Sequence, residues 1–157
     1  MALQTNGQIS VDVGGATASD FVADPMRLAQ CIPGCKELCE LSPGRYSAML
    51  TNEVAFITLS FKVIVEVGRI EPPSAIEAKI TGEAIGLVGR VTASAGLELS
   101  EAGPNQTNIR YAANVSLAGK LGGLGEPVFR AKSAELAREF GANLKQAIEQ
   151  TAIKTPV

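Results

Sequence analysis

Neither histidine nor tryptophan occurs anywhere in the 157 residues. The missing imidazole removes the commonest general base, the commonest zinc ligand and every pairing in which a histidine activates a serine or cysteine. Positive charge is not in excess either: 14 Lys and Arg against 16 Asp and Glu leave a net charge of −2. A nucleic-acid partner usually calls for a basic face, so none is expected. No uninterrupted apolar run approaches the length of a membrane span. No charged-then-apolar stretch at the N-terminus reads as a signal peptide. The expectation is a single soluble domain over residues 1–157, with an ordered core at about 3–150, a short tail at 153–157, and a cytoplasmic location.

What is present is a series of strands whose dry faces hold no ionisable residue and are unusually small. Positions two apart read Ile57, Leu59, Phe61, Val63, Val65, Val67, then Ile76, Ala78, Ile80, Gly82. The later runs read Val91, Ala93, Ala95, Leu97, Leu99, then Ile109, Tyr111, Ala113, Val115, Leu117. Such alternation marks antiparallel strands with one wet and one dry face. A concave sheet lined by alanine and glycine does not fill its own hollow, so a helix, a ligand or both must do so.

Along the chain, a short strand is expected at 8–13 and two short helical pieces within 16–34. Asp24-Pro25 supplies an N-cap and a first-turn proline for the second piece, and Ile32-Pro33-Gly34 stops it. Strands follow at about 35–41, 45–50, 55–71, 76–83, 89–99 and 108–117, separated by turn-rich segments such as Ser42-Pro43-Gly44 and Gly103-Pro104-Asn105. A closing helix over 126–152 carries Val128, Leu136, Phe140, Leu144 and Ile148 along one stripe and would run roughly 40 Å. The order predicts an α+β fold: a curved seven-stranded antiparallel sheet wrapped around a long C-terminal helix, with two short helices after strand 1.

Asp24-Pro25 with Cys31-Ile32-Pro33-Gly34-Cys35 resembles the signature of the CoxG family of carbon monoxide dehydrogenase subunits. So do Gly82, Gly86 and Gly89, the Ala118-Gly119-Lys120-Leu121 segment with Leu124-Gly125, and Leu136-Ala137-Arg138-Glu139-Phe140. The resemblance covers about residues 3 to 150 and implies a START-like, helix-grip fold that holds an apolar small molecule between sheet and helix. It further implies an accessory protein that serves a molybdenum-hydroxylase-type dehydrogenase, through maturation, membrane recruitment or delivery of an electron acceptor. The chain departs from the family pattern in three ways. Ser19 or Asp20 stands where relatives carry a tryptophan, Gly141 stands where a second aromatic often follows Phe140, and the long tail that some relatives use at the membrane is replaced by a stop at Val157. The first two changes remove bulk and are expected to enlarge the cavity.

The expected cavity lining is Phe61, Ile80, Val91, Ala93, Ala95, Tyr111, Ala113, Val115, Phe129, Leu136 and Phe140. Tyr111 is the inward side chain with a polar tip, able to orient a ligand carbonyl or, equally, to bond backbone. Alternate turns of a meander lie at alternate ends. One end collects 51–53, 84–89 and 118–125, where Ile85, Leu87, Val88, Lys120, Leu121 and Leu124 sit among glycines. These tips are read as a portal or as a cap on the core. A peripheral contact at the inner face of the membrane is one expected use of them. An exposed sheet edge or the same tips offer a homodimer contact.

Other features carry less. Cys31, Cys35 and Cys39 lie four apart but straddle a Pro-Gly turn and lack a fourth ligand, so neither a metal site nor a disulfide framework is expected. Gly82, Gly86 and Gly89 join two strands and open no helix, which excludes a dinucleotide loop. The 119–125 glycines precede a helix, where free N–H groups and Lys120 could hold an anion or simply allow close packing. The functional expectation is a non-catalytic carrier of a quinone- or lipid-like molecule, with no further cofactor. The alternatives are a START-like cyclase or isomerase and a docking module without a ligand.

Overall fold

A computed structural model of the chain describes residues 2–54, 56–71, 75–86, 88–119 and 125–154. Its elements are β1 (Ala2–Val11), α1 (Gly15–Val22), α2 (Pro25–Ala29), β2 (Cys35–Ser42), β3 (Arg45–Val54), β4 (Ile57–Glu71), β5 (Ala75–Ala84), β6 (Gly89–Gly103), β7 (Gln106–Gly119) and α3 (Glu126–Lys154). The seven strands form one antiparallel sheet in the order β1-β7-β6-β5-β4-β3-β2. Strands β2 to β7 are a simple meander, and β1 returns beside the last of them.

The cross-strand register carries the alternation of each strand across the whole sheet. Tyr46 opposes Val65, Val65 opposes Ile80, Ile80 opposes Ala93, Ala93 opposes Val115, and Val115 opposes Leu3. The neighbouring rung joins Val67, Ala78, Ala95, Ala113 and Thr5. Directly opposed residues share a face, so the small dry positions lie together on the concave side. A register shift between Val67 and Arg69 adds one residue to β4, after which Ile70 pairs with Ile76.

Several strands run longer than their apolar patterns indicate. β1 starts at Ala2 rather than at residue 8, because ten consecutive residues pair with β7 although Gln4, Thr5, Asn6 and Gln8 show no apolar alternation. The ladder bonds of a neighbouring strand extend β3 to Val54 and β7 to Gly119 in the same way.

The Ile32-Pro33-Gly34 turn acts as a fastener. Gly34 has φ +79°, a region that favours glycine. Its carbonyl accepts from the Thr51 N–H at 3.1 Å, and the Asn52 amide donates to the Pro33 carbonyl at 3.3 Å. A Cβ at residue 34 would stand 2.2 Å from the Thr51 oxygen. Upstream, the Asp24 carboxylate caps α2 by accepting from the Met26 N–H at 3.0 Å, with Pro25 at the first helical position.

α3 packs principally on β1 and also meets α1 and β3. Leu144 and Ile148 are fully buried with Val11, Val13, Phe21, Ile76, Leu97 and Ile109. Near the other end of the helix, Phe129 is buried with Leu3, Val54, Leu59 and Leu117. Polar ties hold the helix in register: Lys145 donates to the Ser10 carbonyl at 2.6 Å, Asn143 donates to the Cys31 carbonyl at 3.0 Å, and Glu149 accepts from the Asp12 N–H at 3.0 Å.

The Asp12 hydrogen bond, followed by the contact with Lys145, pulls the Glu149 carboxyl below its ordinary 4.5, against an opposing effect of burial. A carboxyl depressed in the folded state stabilises at neutral pH, and that contribution disappears as pH falls through the folded value. The wild type is therefore expected to exceed Glu149→Gln in urea-melt stability at pH 7. The gap should close as pH drops below about 4.5. A gap independent of pH would remove the ionised carboxylate from the account.

Candidate ligand-binding site

The core is divided. One buried cluster joins α1 and the C-terminal half of α3 to β1 and to Ile76, Leu97 and Ile109. The other joins Phe129 to the β3–β4 and β7 ends. Val65, Ala78, Ile80, Ala93, Ala95 and Ala113 belong to neither, and all six are only half-buried although they lie on the helix-facing side. On α3, Ser133, Leu136 and Ala137 are also half-buried. Alanines on three adjacent strands leave this middle stretch of the sheet outside both buried clusters.

The expected lining residues divide among these places. Ile80, Ala93, Ala95 and Ala113 lie in the half-buried middle of the sheet, and Leu136 is half-buried on α3. Phe61, Val91 and Val115 are partly buried against the cluster that contains Phe129, and Phe129 is itself buried core. Phe140 packs against the opposite cluster and meets Tyr111 edge-on, with ring centroids 5.2 Å apart and planes at 78°.

Tyr111 is held on both sides. Its hydroxyl donates to the Ala137 carbonyl of α3 at 3.0 Å. Its ring lies against Gly7 of β1, where a Cβ would come within 2.4 Å of it. A Cβ on Gly141 would stand 2.2 Å from the same hydroxyl. The space freed at Gly141 is therefore occupied by Tyr111 and, against expectation, enlarges no cavity. At the other departure, Ser19 is half-buried and Asp20 exposed. Burial pushes the Tyr111 phenol above its ordinary value, so it stays protonated at neutral pH.

A second inward tyrosine has a weaker signal in the sequence. Tyr46 lies on the rung of Val65, Ile80, Ala93 and Val115 and is only 8% exposed. Burial raises its phenol, and the negative charges of Glu40 and Asp24 add to the shift. Its signal is the alternation Tyr46, Ala48, Leu50, shorter and less apolar than that of the four later strands, and the expected lining did not include it.

At the end of the sheet that holds the β3–β4 and β5–β6 turns, Phe56 is fully exposed and adopts φ +71°. Ile57, Ile85 and Val88 are exposed at the same end, and the Ile85 N–H donates to the Ser60 carbonyl at 2.9 Å, tying two of the tips together. Phe56 and Ile57 had no apolar-loop signature because they sit inside what reads as continuous strand. Leu87, Lys120, Leu121 and Leu124 lie outside the described residues.

The sulfur of Cys31 is buried and faces the Arg27 carbonyl at 3.7 Å, Cys35 is half-buried, and Cys39 is exposed. Burial pushes the Cys31 and Cys35 thiols up. Among the described residues no three Cys, Asp or Glu side chains group as a metal site, and no helix is long and apolar enough to cross a membrane. Two open concavities occur among the described residues. One of about 460 Å³ lies over Gly96 and Ala112, rimmed by Asn6, Gln8, Glu77, Glu98 and Arg110. The other, of about 400 Å³, lies between Phe21, Arg27 and Cys31 and the α3 residues Asn143, Ala147 and Gln150.

Residues 7–149 match the CoxG family of carbon monoxide dehydrogenase subunits. The chain belongs to that family. A comparison with curated protein sequences finds no match. Among solved structures, a conserved protein from Geobacillus kaustophilus is similar at 24% identity and TM-score 0.82, covering 94% of this chain and 96% of that one. A START superfamily protein from Mycobacterium smegmatis is similar at 14% identity and TM-score 0.69, covering 94% and 98%. The Zhui aromatase/cyclase from Streptomyces sp. R1128 is similar at 14% identity and TM-score 0.60, covering 98% and 95%. At these identities the likeness is one of fold, and this CoxG protein has the START-like helix-grip architecture, a seven-stranded antiparallel sheet with a long C-terminal helix.

Proposed function

We propose that this CoxG protein is a non-catalytic carrier. It holds a quinone- or lipid-like molecule in the hollow between sheet and α3 and serves a molybdenum-hydroxylase-type dehydrogenase, carbon monoxide dehydrogenase being the partner its family name suggests. The observation that carries this reading is the divided core, with its alanine-floored, half-exposed middle. Each methylene buried there contributes about 0.8 kcal/mol, so an apolar chain of moderate length is held even after the costs of ordering it. Chemistry is another matter. An acid or base would have to reach the hollow; Tyr46 on the Ala93 rung and Tyr111 on the Leu97 rung have phenols shifted away from neutrality, and Glu40, opposite Tyr46 on β2, is exposed. That weighs against a cyclase activity like the one for which a structural neighbour is named. The apolar tips at Phe56, Ile57, Ile85 and Val88 serve as the mouth and make peripheral contact with the inner face of the membrane.

Native mass spectrometry of gently purified protein, followed by solvent extraction, tests the reading. A stoichiometric apolar species is expected. After stripping, refilling from vesicles that contain that species should be several-fold slower in Val88→Asp. An empty, well-folded protein that stays empty after exposure to quinone-containing vesicles would move the assignment to a docking module.

A further inference from the structure

We infer that Phe56 is an insertion wedge, whose ring enters the acyl boundary of a zwitterionic bilayer from a turn conformation that costs the fold stability. This rests on the peripheral membrane contact proposed above and deepens it by naming the residue that inserts and the lipid surface it takes.

Of the five phenylalanines, Phe56 is the one outside the core. Phe21 and Phe129 are buried, and Phe61 and Phe140 pack against the two clusters. Phe56 is fully exposed, between the buried Val54 and the half-exposed Ile57. Its backbone is equally out of place. The β3–β4 ladder closes at Val54 opposite Ile57, so Phe56 is the second residue of a two-residue hairpin loop. Tight loops of this length commonly need positive φ, and Phe56 has φ +71°. Glycine or asparagine ordinarily takes such a position, because a Cβ crowds the neighbouring carbonyl there. A bulky side chain in this conformation is strained, and a ring left in solvent makes no packing contact to offset the strain. Neither the ring nor its conformation serves the fold.

The tip also projects. Phe61 is the last β4 residue with a β5 partner, Ala84, whereas Ile57 to Ser60 continue beside β3. That carries the tip about 13 Å beyond the end of β5. The Ile85 N–H, bonded to the Ser60 carbonyl at 2.9 Å, braces the base of the overhang.

Shape and charge choose the occupant. One ring and one half-exposed isoleucine on a narrow hairpin fall far short of the roughly 800 Å² that each partner gives to a stable protein interface. A bilayer needs no matching surface, and a peripheral apolar element settles about 5–10 Å into its headgroup boundary, a depth the overhang reaches. The nearest ionisable side chains are Glu53, opposite Thr58, and Lys62, Glu83 and Arg90 on one rung, with Arg90 bonded to Glu83 at 3.3 Å. They are two of each sign, so among the described residues this end has no positive excess to recruit an anionic headgroup. Apolar area, and not headgroup charge, drives the insertion.

The chain has no tryptophan, so Phe56→Trp places a single reporter at the tip. With phosphatidylcholine vesicles its emission should move to the blue and be quenched by lipids brominated on the acyl chain. Affinity should change less than twofold with added phosphatidylglycerol or about 0.5 M salt. Phe56→Gly should weaken co-sedimentation with these vesicles about tenfold and raise the thermal midpoint by about 2–4 °C. These are effects of opposite sign that a merely structural phenylalanine would not give. A lowered midpoint in Phe56→Gly would overturn the inference by showing that the ring serves the fold. Affinity that rises several-fold with phosphatidylglycerol and falls with salt would overturn the zwitterionic selection. Vesicle-bound Phe56→Trp that is not quenched, beside Val88→Trp that is, would overturn the wedge and leave the membrane contact in place. Failure of the wild type to co-sediment with either lipid would overturn that contact and this inference with it.

Discussion

Ala95→Phe is expected to weaken binding of an apolar fluorescent probe by at least thirtyfold while the thermal midpoint moves by no more than a few degrees. Ala95 is the middle member of the Ala78–Ala95–Ala113 row, and all three residues are half-buried on the helix-facing side. On the carrier reading, a phenyl ring at this point takes the volume a ligand would use. The opposite case is equally well defined. If the alanines seated α3 by close packing, the ring would have nowhere to go, and overpacking would cost about 1–3 kcal/mol. In a chain of this length that lowers the midpoint by about 2–4 °C per kcal/mol. A probe-binding titration and a thermal melt on the same sample distinguish the two. Ala113→Phe provides an independent second position on the same row. A large loss of stability in both variants would show that the floor is packed and not hollow.

Gly141→Ala is expected to destabilise the protein by about 2–4 kcal/mol, contrary to the usual sign. A glycine-to-alanine change inside a helix ordinarily gains roughly 0.5–1 kcal/mol. Here the new Cβ would stand 2.2 Å from the Tyr111 hydroxyl and 3.1 Å from Ile9 Cγ2. Tyr111 cannot simply retreat, because its ring already rests on Gly7. To make room it must surrender the hydrogen bond to Ala137 and the edge-on contact with Phe140. The thermal midpoint should fall by roughly 5–15 °C. Removing the hydroxyl relieves the closest clash, so Gly141→Ala combined with Tyr111→Phe should recover most of the loss. That non-additivity is the signature of a direct contact. A Gly141→Ala variant more stable than the wild type would show that Tyr111 is not clamped there.

The two experiments concern the two sorts of small residue in this protein. Ala78, Ala95 and Ala113 stay half-buried and belong to neither buried cluster. Gly7 and Gly141 leave space that Tyr111 fills. In the linear chain both are simply positions that lack bulk. The difference lies in which neighbour arrives, and that neighbour comes from another strand or from the helix.

The same division runs through the whole molecule. Residue order alone was enough for the faces of β4 to β7, because side-chain direction alternates with every residue and a run such as Val91-Thr92-Ala93-Ser94-Ala95 declares its dry side without outside help. It was enough for the long C-terminal helix and for placing the exposed Ile85 and Val88 at the β5–β6 turn, since helical spacing and meander parity are properties of local order. The Ile32-Pro33-Gly34 signature and its companions also sufficed to indicate the family. Contacts between distant segments settled what alternation cannot encode. β1 reaches back to Ala2 because β7 offers it ten partners. The hydroxyl of Tyr111 is spent on a helix carbonyl 26 residues away along the chain. Tyr46 shares a rung with Val65, Ile80, Ala93, Val115 and Leu3 through a register that runs across five other strands. Phe56 stands in solvent at a hairpin tip although the chain around it reads as strand. The free energy of each such contact is shared by two places in the sequence and written in neither alone.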